Sequence, residues 1–195
     1  MTDRLDAQFS FLNEADKLKS VLRATTLVDG SRAENSAEHS WHLALYALVL
    51  ADQAAPGVSI DRVIRMLLIH DLVEIDVGDV PIHSAHGQAH GSPQTFAAEV
   101  IAADRIFGLL PRDLGGDLKA LWQEFEAAQT PDAVFAKALD RVQPVMANLM
   151  SGGGTWKTYD VTAAQLHDRV GVKIARGAPA LWDWVREKTR AYFAD

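Results

Sequence analysis

Three short segments, far apart in the chain, hold side chains that can do chemistry together: Glu38-His39, His70-Asp71-Leu72-Val73-Glu74, and Asp140. The imidazoles of His39 and His70 with the carboxylates of Asp71 and Asp140 form a donor set suited to one borderline or hard divalent ion, Mn²⁺, Co²⁺, Fe²⁺, Ni²⁺, Zn²⁺ or Mg²⁺. Such a set leaves coordination positions for water and a substrate oxygen, which suggests catalysis. Adjacent residues lie about 100° apart on a helix, so His70 and Asp71 both reach an ion only if it sits between their directions, close to the helix surface. Glu74 then stands one turn beyond His70. Taken alone, the dipeptide and its Glu also fit an ordinary polar stripe. The neighbours argue against that: Val63 to Ile69 runs largely apolar into the pair, and Leu72, Val73 and Ile75 continue beyond it. A charge on a buried helix needs a partner. His39 likewise precedes the apolar stretch Trp41 to Ala51.

These residues need elements to carry them, and composition bounds what the elements build. The 195 residues, 48% hydrophobic, suffice for a single domain with a sizeable core, and no linker or repeat divides 1–195. A formal charge of −7 without any run of Lys or Arg makes polymeric nucleic acid a poor partner. The chain has no cysteine, which leaves His and carboxylates as metal ligands. No stretch of ~20 apolar residues or basic-then-apolar N-terminus is present, so no membrane association and a cytoplasmic location are expected.

Apolar residues from Leu5 to Leu22 recur at helical spacing and predict a first helix. Asn35, three residues before Glu38, predicts a capping box that places His39 in the first turn of a second helix, ending before Pro56-Gly57. A third helix is expected from about Ser59 to Ile75, with a break at Gly78 and a loop Asp79-Val80-Pro81. Residues 82–92 read as a mobile, solvated loop. Its His83, His86 and His90 form an adventitious metal site only as the less favoured alternative. Ser92-Pro93 and Thr130-Pro131 are helix starts, another helix lies around Leu118 to Ala127, and Asp140 falls on the helix after Thr130. Pro144, four residues on, is expected to kink it. A last helix runs near Pro179 to Phe193. No strand is recognised, and the fold class is all-α, a compact helical bundle.

Arg32 with Glu34-Asn35-Ser36-Ala37-Glu38-His39-Ser40-Trp41, His70-Asp71-Leu72-Val73-Glu74, Gly78-Asp79-Val80-Pro81, Leu121 to Glu126 and Lys137-Ala138-Leu139-Asp140-Arg141 together resemble the HD-domain phosphohydrolases. The likeness covers roughly residues 8–160 and points to the branch of the bacterial 5′-deoxynucleotidases and their eukaryotic relatives. It implies a helical HD-domain bundle, often a homodimer, that removes phosphate from nucleoside 5′-monophosphates with a divalent metal. By the resemblance His39, His70, Asp71 and Asp140 are the metal ligands, and Arg32, Glu74 and Asp79 form the catalytic and substrate-binding shell. Arg32 is assigned to phosphate because its planar fork matches two phosphoryl oxygens. Glu74 and Asp79 divide the acid and base roles in an order left open. His42 is expected to pack behind His39, and Trp156 to serve core or interface rather than a nucleobase.

The segment 83–92 departs from the family pattern and bears on selectivity. Rival readings are a pyrophosphohydrolase, disfavoured by Ile75 where a second acid is usual, and a cyclic-dinucleotide phosphodiesterase, whose bimetallic site needs further His ligands on later helices, where beyond the loop histidines this chain has only His167. The third is a non-catalytic metal-binding signalling module. A monophosphate is expected to be preferred over a triphosphate, because no second cluster of cations is visible in the sequence, although Lys137, Arg141 and Lys157 are candidates to gather in the fold.

Overall fold

The computed structural model describes residues 2–194. Its regular elements are α1 (Thr2–Ala15), β1 (Leu22–Thr26), β2 (Ala33–Asn35), α2 (Ser36–Val49), α3 (Ile60–Ile69), α4 (Glu74–Val77), α5 (Pro93–Phe107), α6 (Arg112–Ala127), α7 (Pro131–Met150), α8 (Gly154–Thr158), α9 (Ala163–Leu166), α10 (Val172–Gly177) and α11 (Pro179–Arg190). The fold class is all-α, as expected. Helix α7 is the spine: Phe135, Leu139, Val142 and Val145 pack with Leu43 of α2, Met66 and Leu67 of α3, Ile174 of α10 and Val185 of α11. A second cluster joins Phe11, Leu18, Leu72, Val73, Ile106, Phe107 and Trp122. Ile69 packs against both clusters, so the His70-Asp71 segment lies at their seam and is fixed from two sides.

The expected caps are present where they position the site. Asn35 accepts from the Glu38 amide at 2.9 Å while Glu38 accepts from the Asn35 amide at 3.1 Å, which starts α2 one residue before Ala37 and holds His39 in its first turn. Ser92 and Thr130 cap α5 and α7 through the amides of Thr95 and Ala133 at 3.1 and 3.2 Å.

Besides an earlier start of α6, at Arg112 rather than near Leu118, the fold departs from expectation in four places. The first helix stops at Ala15, and Leu22 instead opens an antiparallel strand pair, with Leu22 opposite Asn35 and Thr26 opposite Ala33. The turn between the strands closes through the Leu27 amide to the Arg32 carbonyl at 2.9 Å, with Gly30 at φ 70°. The third helix is not continuous. It ends at Ile69, passes through a 3₁₀ turn at His70–Val73, and resumes as α4 up to Gly78, whose φ of 75° and ψ of 165° stop it.

Residues 82–92 are a solvated loop only in part: Ala85, His86, Gln88 and Gly91 are exposed, but the segment is anchored. Arg169 donates to the His86 carbonyl at 2.8 Å and faces His83 Nδ1 at 3.2 Å, while Arg141 donates to His90 Nε2 at 2.8 Å. His83 is buried and these contacts pin the segment over a cavity. Last, the stretch after Gly152-Gly153-Gly154 is helical: α8, α9, a π turn at His167–Gly171, and α10. Gly177 at the end of α10 sits so close to α7 that a Cβ would lie 2.5 Å from the Val134 carbonyl oxygen. That contact requires glycine and brings the α10 side chains beside those of α7.

Candidate metal and phosphate site

The chemistry assembles from α2, the 3₁₀ turn, α4, α7 and β1. The Nε2 atoms of His39 and His70 lie 3.1 and 3.7 Å from Asp140 Oδ1, and His70 Nε2 lies 2.9 Å from Asp71 Oδ1. Donor atoms of His39, His70 and Asp71 all fall within 4.8 Å of one another. All four side chains are buried.

The hydrogen-bond network determines which ring nitrogen carries the proton. His70 Nδ1 donates to the Leu67 carbonyl at 2.9 Å, so in the neutral ring Nε2 is the free nitrogen, and that buried atom has no hydrogen-bond partner. For His39 the constraint comes from further out. Glu34 can only accept, so Gln143 must turn its Nε2 towards Glu34 Oε1, at 2.9 Å, and its Oε1 towards His39 Nδ1, at 3.0 Å. His39 Nδ1 is thereby a donor, which turns its Nε2 to Asp140 Oδ1 at 3.1 Å. Two imidazole nitrogens this close to carboxylate oxygens require a cation between them, either a proton or a metal ion. The residues therefore fit a divalent metal, with His39, His70, Asp71 and Asp140 as the side chains that would hold it.

In the protein's own field the imbalance appears as displaced pKa values. Burial opposes charge on His70, but Asp71 and Asp140 overcome it and push the imidazole up to about 10. Burial likewise acts to raise Asp71, yet His70 and Arg23 hold it below the usual carboxylate range. Burial and the neighbouring Asp71 raise Glu74 well above its ordinary value. Asp79 is raised by burial first and then by Asp71, against the pull of Arg23.

Glu74 and Asp79 stand beside these four. Ser36 Oγ donates to Glu74 at 2.5 Å, and the Ala24 amide approaches Asp79 at 3.4 Å. Arg32 is not brought to the site. Its guanidinium is clasped by Glu38 at 2.6 and 2.9 Å, its side chain is 53% exposed, and it lines a separate surface groove with Val28, Trp41 and His42. The arginine at the site is Arg23, on β1, whose side chain is only 10% exposed. It lies 2.9 Å from Asp71, 3.6 Å from Asp79, 3.7 Å from Glu34 and 3.8 Å from Glu74. The phosphate assignment made for Arg32 thus loses its geometric basis, because the Glu38 partner that caps α2 also holds Arg32 outside. Arg23, Glu34 and Gln143 were missed. The signal for Arg23 was present: Asp29-Gly30 between Thr25-Thr26 and Ala33-Glu34 is a hairpin signature, and a hairpin carries Arg23 back onto α2.

A cavity of about 440 Å³ opens onto these groups. Arg23, His70, Asp71, Glu74, Asp79 and Asp140 face it, as do His83, His90, Lys137, Arg141, Lys173 and Arg176. Trp156 also borders it but is buried against Tyr192 and Phe193 at 5.0 Å, a core role. His42 packs edge-on to Tyr46 at 4.9 Å, and its ring nitrogen lies 3.4 Å from the Gln143 amide that orients His39.

Comparison with known proteins identifies the family. A human protein named 5′-deoxynucleotidase HDDC2 is 31% identical over 137 residues, covering 70% of this chain and 64% of the relative. The 5′-deoxynucleotidase hdd1 of Schizosaccharomyces pombe is 25% identical, covering 69% of this chain and 67% of its own. This chain thus spans a little under two thirds of the length of the human relative. A crystal structure described as a predicted metal-dependent phosphohydrolase from Magnetospirillum magnetotacticum superposes with a TM-score of 0.90 at 48% identity, covering 97% of this chain and 93% of that one. The family model for the HD domain matches residues 15–182, and the chain belongs to the HD domain family.

Proposed function

We propose that this protein is a divalent-metal-dependent phosphohydrolase acting on (deoxy)nucleoside 5′-monophosphates. The observation that carries the reading is the convergence of His39, His70, Asp71 and Asp140 at the edge of a cavity large enough for a nucleotide. The names of the relatives point to the same chemistry. A bound divalent ion would polarise a phosphoryl oxygen and ease deprotonation of the attacking water. The protein's own groups supply the remaining functions. Glu74, raised by burial and Asp71 and held as the carboxylate by the hydrogen bond from Ser36, takes the proton of the attacking water. Asp79, held by Arg23 and the Ala24 amide, delivers a proton to the departing 5′-oxygen. Arg23 keeps Asp71, Glu74 and Asp79 in register by lying between them.

A small-molecule nucleotide is the partner in this reading, and the chain works as a cytoplasmic homodimer. Among the described residues no helix is long and apolar enough to cross a membrane. The monophosphate preference rests on the relatives and no longer on a lack of cations. Lys137, Arg141, Lys173 and Arg176 do gather on the cavity, although Lys157 does not line it. The test is phosphate release from nucleoside mono-, di- and triphosphates with Mn²⁺, Co²⁺, Mg²⁺ and Zn²⁺. Faster turnover of dAMP than of dATP is expected, and a higher kcat/KM for dATP replaces this reading with a triphosphohydrolase.

A further inference from the structure

The protein groups of the metal half of the cavity, taken without an ion, offer a phosphate little attraction. Arg23 is the cation among Asp71, Glu74, Asp79 and Glu34, so its charge is already spent on carboxylates within 3.8 Å. A phosphate dianion entering there meets more negative than positive protein charge. The helix α7 and α10 wall is different. Lys137 and Arg141 are one turn apart on α7, Lys173 and Arg176 nearly one turn apart on α10, and the glycine contact at Gly177 presses the two helices together. Like charges at such spacing repel and destabilise the helices that carry them. The protein nevertheless places them around one cavity.

Their partners are few. Lys137 is matched by Glu126 at 3.0 Å. Arg141 is 7% exposed. Its Nη2 is spent on His90, its Nη1 lies 3.5 Å from Asp140, and its Nε is buried without any hydrogen-bond partner. Among the described residues Lys173 and Arg176 have no carboxylate within ion-pair distance, and both reach solvent at the cavity. Lys173 is pulled down to about 8 by Arg141 first, then by burial and by Lys137, a strain that an anion between them would relieve.

The geometry points to a phosphate-dianion subsite formed by Arg141, Lys173 and Arg176 on the α7–α10 wall of the cavity, separate from Arg23. It rests on the phosphohydrolase reading for its biological ligand but not for its existence. The dianion has two sources: the phosphoryl group that is hydrolysed, released later as inorganic phosphate, or a further phosphoryl group of a longer nucleotide. Lys173 and Arg176 are the positions to vary, since both are exposed and on the rim.

Inorganic phosphate titrated into the metal-loaded protein by calorimetry is expected to bind, and to bind less tightly as ionic strength rises. Loss of one partly exposed charged donor in Lys173→Met or Arg176→Met is expected to weaken binding roughly tenfold, while Lys173→Arg retains it. Unchanged phosphate affinity in both methionine variants, with wild-type melting temperatures, overturns the subsite. Turnover then assigns the source. If KM for dAMP rises in Lys173→Met in step with the phosphate Kd, the subsite takes the hydrolysed group. If KM rises for dADP and not for dAMP, it takes an additional phosphoryl. A protein that binds phosphate through Lys173 yet releases none from any nucleotide keeps the subsite and removes the phosphohydrolase reading.

Discussion

Glu34, Gln143 and His39 form a chain in which each link fixes the next: a carboxylate orients an amide, and the amide sets the tautomer of an imidazole. Gln143→Leu is close in shape but supplies no acceptor, so His39 becomes free to protonate either nitrogen. Metal affinity measured by chelator competition should fall about 10–100-fold in this variant, with the fold retained. An affinity equal to wild type would show that His39 is not oriented from Glu34. The two arginines make a sharper contrast. Arg23→Ala leaves Asp71, Asp79 and Glu74 without their common cation in a buried setting, and kcat/KM should drop by about 100-fold or more along with the melting temperature. Arg32→Ala removes an exposed pair with Glu38 and should leave kcat/KM within about twofold. The reverse ranking in a phosphate-release assay would return the phosphate role to Arg32. The family resemblance and the planar fork of its guanidinium nominated Arg32, whereas Arg23 needs a hairpin to return it to the site.

At the scale of elements, the 3₁₀ turn and α4 lead Glu74 out of the metal cluster and stop at Gly78, so that Asp79 comes back towards Arg23. The Gly78 backbone, at φ 75° and ψ 165°, lies in a region that only glycine populates readily, although a Cβ there would meet no atom within 4 Å. Gly78→Ala therefore costs backbone strain of about 1–3 kcal/mol rather than a clash. Its expected signature is a lowered melting temperature with a fall in kcat as Asp79 shifts, and a variant matching wild type in both would show that the turn tolerates a side chain. Gly78 was legible as a stop because a glycine after an apolar run is a strong local signal. The helix start at Arg112 was not, because Gly115-Gly116 reads as a loop. Gly115 is in fact a contact, since a Cβ there would lie 2.4 Å from the Phe107 carbonyl oxygen. The strand pair was hidden by its length, five residues against three, and α8 to α10 by theirs. Short elements carry too few periods to register, and they owe their existence to packing against α7. The candidate ligands were legible because residue type alone nominates them. Their convergence, and the basic wall added by α10, belong to tertiary structure.

Across the whole molecule, the segment 82–92 ties α4 to α7 and to the π turn through two histidines that act as neutral acceptors. Burial first, and then Arg169, depresses His83 to about 4; burial first, and then Arg141, depresses His90 to about 4. In the unfolded chain both return to about 6.5. Between these values the unfolded state binds protons that the folded state refuses, so stability falls as pH is lowered from about 7 to about 4. For the buried His83 the effect is on the order of 2–3 kcal/mol. Glu99 works against it in part of the same window: burial first and then Glu126 raise it to about 7, so it favours the folded state as pH falls from 7 towards 4.5. Salt-bridged carboxylates such as Glu38 and Glu124, lowered chiefly by Arg32 and Arg62, lose their contribution only below about 4.5. A comparison that leaves every other group in place isolates the histidines. His83→Gln with His90→Gln keeps an acceptor for each arginine and removes both titrations. Melting temperatures of the metal-loaded proteins recorded from pH 7.5 to 5 should decline more steeply for wild type than for the double variant. Parallel curves would mean that the two histidines take up protons as readily in the folded protein as in the unfolded chain, and that the segment is not held to Arg141 and Arg169 by neutral acceptors.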